Sequence, residues 1–125
     1  MGMLDKCATE LHTWVVTLLF VYTSEFDRLA RDVLTDDDLR AVEERLLDNP
    51  RAGAVVAHTG GVRKLRLAFG GRGKSGSARI IYLYVEADAR VYFLLFYQKN
   101  QQASLSEAGK RRLQGIVTAL KEGHV

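Results

Sequence analysis

A short basic and glycine-rich stretch holds the residues of this sequence best suited to bind or react with a phosphate. Within Gly60–Arg79 the cationic side chains are Arg63, Lys64, Arg66, Arg72, Lys74 and Arg79. No Asp or Glu lies between Asp48 and Glu86. Glycine lets the backbone approach a ligand closely, and charge of one sign attracts the opposite sign. The stretch therefore predicts a site for a polyanion, with an RNA or DNA backbone as the first candidate.

Charge is distributed unevenly along the 125 residues, although the net charge is only +3. Residues 1–48 hold five basic and eleven acidic side chains, whereas residues 49–85 hold seven basic and none acidic. Residues 86–125 hold six basic and four acidic side chains. An acidic segment followed by a basic one favours a dipolar molecule with one anion-binding face.

Composition excludes several other kinds of site. Cys7 is the sole cysteine, so no internal disulfide can form and a cytoplasmic location is expected. The three histidines (His12, His58 and His124) are scattered, so neither a metal site nor a cofactor is predicted. The apolar run Trp14–Tyr22 is far shorter than the roughly 20 residues that a membrane-spanning helix needs.

Hydrophobic periodicity predicts the elements that must position the basic residues. Period-two and β-branched runs predict four strands, at Trp14–Tyr22, Val62–Phe69, Ser77–Val85 and Arg90–Lys99. Apolar residues at three- and four-residue spacing predict three helices, capped by Thr23 or Ser24, by Thr35, and by Ser104 or Ser106. In the first basic strand, Lys64 and Arg66 share one face, opposite Leu65 and Leu67.

These elements predict an α+β domain in the order βααβββα. An antiparallel sheet would carry two helices from the N-terminal part and one from the C-terminal part. We expect residues 1–13 to form an N-terminal leader and residues 14–123 to form a single domain.

Several blocks of the sequence, in the right order, resemble the RelE/HigB toxins of bacterial type II toxin–antitoxin modules. The blocks are Asn49-Pro50, Thr59–Arg66, Gly71–Gly76, Ala78–Tyr82, Phe96–Asn100 and Leu105–Glu107. The resemblance runs from about Trp14 to about Gly123 and leaves residues 1–13 outside. It departs from the HigB-like pattern at Ala54, where an acidic residue is frequent.

The resemblance implies a RelE-like fold and a ribosome-dependent endoribonuclease that cuts mRNA by attack of a 2′-hydroxyl on the adjacent phosphate. It assigns catalytic roles to Lys64, Arg66, Lys74, Arg79 and Tyr97, and RNA phosphate binding to Arg63, Arg72 and Lys99. Fixed guanidinium groups suit the charge that develops on phosphate oxygens. Lys64 or Lys74 is a candidate general base, because neighbouring cations favour a neutral amine.

The same resemblance implies the partners of the chain. These are a cognate antitoxin of the HigA or RelB type, the 70S ribosome and mRNA. Operator DNA would be contacted only through the antitoxin, and no membrane contact is expected.

Other interpretations of these residues stay open at this point. The basic run could be a solvated loop, and Tyr97 could be a strand aromatic packed against the last helix. A ParE-like module that inhibits a topoisomerase, or an inactive domain that only binds its antitoxin, would share the fold. Such modules generally lack the basic residues and the tyrosine present here, which favours the nuclease.

The basic loop yields a first testable prediction. Ribosome binding should weaken steeply with added salt, because cations that contact phosphates release counterions. The double variant Arg72→Ala, Lys74→Ala should have a shallower slope of log affinity against log salt concentration. The slope should fall by roughly one unit for each phosphate contact that is lost. An unchanged slope in filter-binding measurements would mean that this loop is not the surface that contacts phosphate.

Overall fold

The chain folds into a five-stranded sheet whose two faces are covered by helices. The computed structural model describes residues 17–69, 76–99 and 105–122. In chain order the elements are β1 (Leu19–Tyr22), α1 (Ser24–Ala30), α2 (Asp36–Asp48), β2 (Ala54–Val55), β3 (Arg63–Phe69), β4 (Gly76–Val85), β5 (Arg90–Gln98) and α3 (Glu107–Lys121). A short 3-10 turn at Glu86–Asp88 joins β4 to β5. The predicted α+β class and the order of the long elements are confirmed.

The sheet is mixed, with strand order β1-β5-β4-β3-β2. The β2–β3, β3–β4 and β4–β5 pairs are antiparallel, whereas β1 runs parallel to β5. This corrects the predicted antiparallel sheet at one edge. A parallel pair requires a long crossover, which the chain between β1 and β5 supplies. The two-residue strand β2 was not predicted, because so short a segment has no detectable period.

Each face of the sheet has its own hydrophobic core. The face against α1 and α2, called here the helix-pair face, buries Phe26, Ala30, Val42, Leu46, Leu65, Ile80, Tyr82 and Phe93. The opposite face, called here the α3 face, buries Val62, Ile81, Leu83, Leu94, Leu113, Val117 and Leu120. Because β4 contributes to both cores, its residues Ala78–Leu83 are buried without interruption. Burial on both faces makes β4 the centre of the fold.

Threonine and serine side chains begin the helices, as predicted. Thr35 Oγ1 accepts from the Asp38 N–H at 3.1 Å, and Asp38 Oδ2 accepts from the Thr35 N–H at 2.9 Å, which completes a capping box. Thr23 caps α1, and Ser106 Oγ accepts from the Gly109 N–H at 3.0 Å to cap α3. The alternative cap Ser104 lies outside the described residues. The same holds for residues 14–16 of the predicted first strand and for the predicted leader, residues 1–13.

A buried tyrosine fastens the segment after α2 to the centre of the sheet. The Tyr82 hydroxyl donates to the Pro50 carbonyl at 2.8 Å and accepts from the Gly53 N–H at 3.0 Å. Burial raises the pKa of Tyr82, so this hydroxyl stays protonated and can donate. A Cβ on Gly53 would lie 2.9 Å from both the Lys64 carbonyl oxygen and the Tyr82 ring, so only glycine fits there. The contact holds β2 beside β3.

This contact predicts that Tyr82→Phe destabilises the fold. The variant keeps the ring but leaves the buried Gly53 N–H and the partly buried Pro50 carbonyl without this partner, which costs about 1–3 kcal/mol. Urea unfolding would measure the loss of free energy of unfolding. Tyr84→Phe is the matched control, because the Tyr84 ring is only half-buried and the Arg51 guanidinium lies 5.2 Å from its centroid. Equal effects of the two variants would contradict a special role for Tyr82.

Candidate active site

Strand register brings three of the predicted site residues into one row across the sheet. Arg66 of β3 lies opposite Arg79 of β4, and Arg79 lies opposite Tyr97 of β5. Neighbouring strands are about 4.8 Å apart, and directly opposed residues project from the same face. Lys64 lies two residues before Arg66 and so projects from that face as well. The register thus assembles Lys64, Arg66, Arg79 and Tyr97 on the α3 face.

Arg79 is held almost entirely inside the protein. Only 8% of the residue is exposed, and its Nη1 donates to Ser77 Oγ at 3.2 Å and to the Ala78 carbonyl at 3.0 Å. Both partners are neutral, so they orient the guanidinium without cancelling its charge. A buried charge normally has an ionic partner, and among the described residues no carboxylate pairs with Arg79. Its position favours an anion supplied from outside.

The cations of the basic stretch divide into two groups. Within the described part of the chain, the side chains of Lys64 and Arg66 have no hydrogen-bond or ionic partner. Arg63, in contrast, lies on the helix-pair face and donates to the carbonyls of Arg51 and Gly53 at 3.2 and 2.8 Å. The structure therefore separates Arg63, predicted to bind phosphate, from the other predicted residues and engages it in backbone contacts.

The remaining predicted residues lie at the margin of this row or beyond it. Lys99 is exposed, and its N–H donates to the Ser77 carbonyl at 2.9 Å, which extends the β4–β5 ladder by one step. Arg72 and Lys74 lie outside the described residues. Their predicted roles in phosphate binding and catalysis stay predictions.

Tyr97 presents an unusual buried hydroxyl. The residue is 7% exposed, and within the described structure its hydroxyl has no hydrogen-bond partner. Burial raises the pKa of Tyr97, and the nearby Arg79 charge partly offsets that rise. The phenol is therefore protonated at neutral pH and is available as a hydrogen-bond donor. Its ring packs in the core of the α3 face.

A comparison with known families fits this geometry. A sequence model described as "RelE toxin of RelE / RelB toxin-antitoxin system" matches residues 20–123. This chain belongs to the RelE toxin family. It is a RelE-type toxin of a toxin–antitoxin system, whose partner is an antitoxin.

A solved structure is similar in fold. It is the free-state structure of a double arginine-to-alanine mutant of the E. coli toxin RelE, with a TM-score of 0.50 and 13% sequence identity. The match covers 81% of this chain and 96% of the E. coli chain. At this identity the similarity concerns the fold alone, and it agrees with the predicted RelE-like architecture.

The described part of this RelE-type toxin contains neither a metal-ligand cluster nor a membrane-spanning helix. No group of three or more His, Cys, Asp or Glu side chains in the described ranges could hold one metal ion. No described helix is both long and apolar enough to cross a bilayer. For the whole chain, the absence of a metal site, a cofactor and a membrane contact stays a prediction.

One residue near the row was missed by sequence reasoning. Lys110 of α3 lines a small cavity together with Lys64 and Tyr97. Its Nζ lies 3.5 Å from Glu107 Oε2. Sequence alone indicated that Lys110 follows the capped start of a helix, but not that this turn lies above the basic strands. A run of three cations, Lys110–Arg112, just after the helix start was the signal available.

The unpartnered hydroxyl leads to a prediction for the isolated RelE-type toxin. Tyr97→Phe should leave the free energy of unfolding within about 0.5 kcal/mol of the wild type, or raise it, because a buried polar group without a partner is removed. Urea unfolding of Tyr97→Phe should be compared with that of Tyr82→Phe. Both variants remove a tyrosine hydroxyl oxygen, but in Tyr82 that oxygen has hydrogen-bond partners. A loss of stability as large as that of Tyr82→Phe would show that Tyr97 has a structural partner.

Proposed function

We propose that this RelE-type toxin is a ribosome-dependent mRNA endoribonuclease that uses the row on the α3 face as its active site. The observation that carries the proposal is the alignment of Arg66, Arg79 and Tyr97 on three adjacent strands, with Lys64 beside them. None of the three cations has an acidic partner among the described residues. A rigid sheet holds side chains to the sub-ångström positions that catalysis needs.

The proposed reaction is an internal phosphoryl transfer. The 2′-oxygen of the RNA forms a bond to the adjacent phosphorus while the bond to the 5′-oxygen breaks. The 5′-oxygen leaves with the electron pair, which gives a 2′,3′-cyclic phosphate and a 5′-hydroxyl. One proton must be removed from the 2′-hydroxyl and one delivered to the leaving oxygen. Negative charge grows on the non-bridging oxygens between these events, so fixed cations lower the barrier.

The two arginines have different parts in this proposal. Arg79 is buried and oriented by neutral partners, so its remaining donors can stabilise the developing charge without reorganisation. Arg66 is exposed and can reach the phosphate from the open side. Arginine suits both positions, because its planar donors match two phosphate oxygens at once.

Proton transfer is assigned to lysine and tyrosine. Lys64 lies on the same face as Arg66 and Arg79, which places its amine to act as the general base; Lys74 is the other candidate. The Tyr97 hydroxyl is protonated and has no partner in the described structure, so it can donate to a phosphate oxygen or to the leaving oxygen. The ring and the hydroxyl are both buried in this structure, so the ring offers no face for base stacking, and the hydroxyl would reach RNA only after nearby side chains move.

The proposed partners follow from this activity. The substrate is mRNA on the 70S ribosome in the cytoplasm, contacted through phosphates that Arg72 and Lys99 also help to bind. An antitoxin of the HigA or RelB type would neutralise the toxin and would carry any contact with operator DNA. An acidic segment of the antitoxin would suit the basic β3–β4 region of this chain, which contains no Asp or Glu.

The proposal predicts a large catalytic effect of the two arginines. Arg66→Ala and Arg79→Ala should each slow single-turnover mRNA cleavage on programmed ribosomes by about 10²–10³-fold, because a preorganised donor to the transition state is lost. Antitoxin affinity and the circular dichroism spectrum should stay unchanged. Arg79→Lys keeps the charge but loses the planar donors. Its cleavage rate should therefore lie between those of the wild type and Arg79→Ala.

Arg40→Ala is the matched control. It removes an exposed arginine of α2 that pairs with Asp37 at 3.1 Å, far along the chain from the row. Its cleavage rate should equal that of the wild type. Folded Arg66→Ala and Arg79→Ala proteins that cleave at wild-type rates would refute the site. Intact mRNA together with DNA damage in cells would favour the ParE-like alternative instead.

A further inference from the structure

A small cavity lies beside the row, between the sheet and the start of α3. Its volume is about 70 Å³, and it is lined by Val56, Lys64, Tyr97, Leu105 and Lys110. This space holds a few water molecules or the oxygens of one phosphate, but not a nucleobase. Lys64 and Tyr97 already belong to the proposed active site, whereas Lys110 has no assigned role.

The polar groups of the cavity are well suited to donate hydrogen bonds to a ligand. The two lysines can only donate while charged, and the Tyr97 phenol is protonated. The Tyr97 hydroxyl is fully buried and lacks a partner within the described structure. Buried polar atoms nearly always have a partner, so an orphan of this kind calls for an explanation. A ligand rich in acceptor oxygens would pair with the two lysines, whereas the fully buried hydroxyl would be reached only after nearby side chains move.

Lys110 lies in a part of α3 where positive charge is concentrated. It lies near the start of α3, where the helix dipole favours negative charge, and Arg111 and Arg112 follow it. The Glu107 carboxylate, 3.5 Å from Lys110 Nζ, offers weak compensation because its side chain is 72% exposed. The Lys110 side chain itself is only 21% exposed. An anion bound at this position would pair with Lys110 and would also suit the positive end of the helix dipole.

We propose that this cavity is a second phosphate subsite, in which Lys110 binds a phosphate of the RNA chain next to the one on which Lys64 and Tyr97 act. The identity of the ligand as RNA rests on the function proposed above. The cavity adjoins Tyr97, the last residue of the row, so the cations continue from Arg66 across the sheet to α3. A phosphodiester chain repeats its charge at each nucleotide and matches such a series, whereas a single carboxylate of a protein partner does not.

Titration with inorganic phosphate tests the subsite without RNA. Binding would be followed by NMR signals of the labelled Tyr97 ring and the Lys110 side chain. Lys110→Gln should weaken phosphate binding by about tenfold, since one charge-assisted hydrogen bond is lost. Arg111→Gln is the matched control: it removes the same charge one residue further on, where the helix turns the side chain about 100° away, and it should change affinity less than about twofold.

A third variant should change phosphate affinity in the opposite direction. Glu107→Gln removes the carboxylate that competes for Lys110 and should tighten phosphate binding by about two- to threefold. Equal effects of Lys110→Gln and Arg111→Gln, or no effect of Glu107→Gln, would overturn the subsite. The cavity would then hold only solvent.

RNA and antitoxin measurements identify the ligand. A non-cleavable RNA oligonucleotide with a 2′-deoxy sugar at the cut site should bind Lys110→Gln about tenfold more weakly, with a parallel fall in cleavage on ribosomes. If the wild type cuts no mRNA but Lys110→Gln still weakens phosphate and oligonucleotide binding, the proposed nuclease fails and the subsite stands. If Lys110→Gln weakens only antitoxin binding, the cavity belongs to that partner and the subsite is refuted.

Discussion

The structure depends on the burial of β4 from both sides. Its residues alternate between the two cores, with Ile80 and Tyr82 on the helix-pair face and Ile81 and Leu83 on the α3 face. A slip of one residue would exchange these two sets and would also move Arg79 into the core under α1 and α2. An unpaired guanidinium there costs several kcal/mol, whereas at its native position it donates to two neutral partners. The same register that packs the core thus aligns Arg66, Arg79 and Tyr97.

Concentrating cations on one face opposes stability, and the fold offsets this elsewhere. Arg51 pairs with Glu86, and Arg63 donates to two backbone carbonyls. Both charges therefore have partners, and they lie near the segment after α2 that hydrogen-bonds to Tyr82. Lys64, Arg66 and Arg79 have no such compensation from carboxylates in the described ranges. Local arrangements that weaken a fold without an evident structural gain are characteristic of functional sites. An antitoxin or an RNA that supplies negative charge would also stabilise the folded toxin.

Much of this arrangement could be predicted from the sequence, and the rest could not, for physical reasons. Period two already separated Lys64 and Arg66 from their neighbours on β3, and the same alternation places Arg63 on the helix-pair face. The phosphate role of Arg63 stays a prediction. The predicted helix caps and the strands β3, β4 and β5 were local properties, and they are confirmed. The predicted first strand was too long, because within the described residues it begins only at Leu19. The parallel β1–β5 pair and the position of Lys110 depend on how distant elements pack. No spacing along the chain determines those contacts.

The groups on the α3 face share one chemical property that limits what the site can do. Arg66 and Arg79 can only donate hydrogen bonds, Lys64 donates unless it loses a proton, and burial keeps the Tyr97 phenol protonated. Two carboxylates of the described residues lie near this region, and each pairs with a cation of its own helix: Glu107 with Lys110, and Glu25 with Arg28. Such a set is poorly suited to the paired-carboxylate chemistry of glycosidases, which needs a strong acceptor opposite a donor. It is well suited to a transition state that gathers negative charge on several oxygens. Among the reactions open to a RelE-type toxin, transfer at an RNA phosphate has that property.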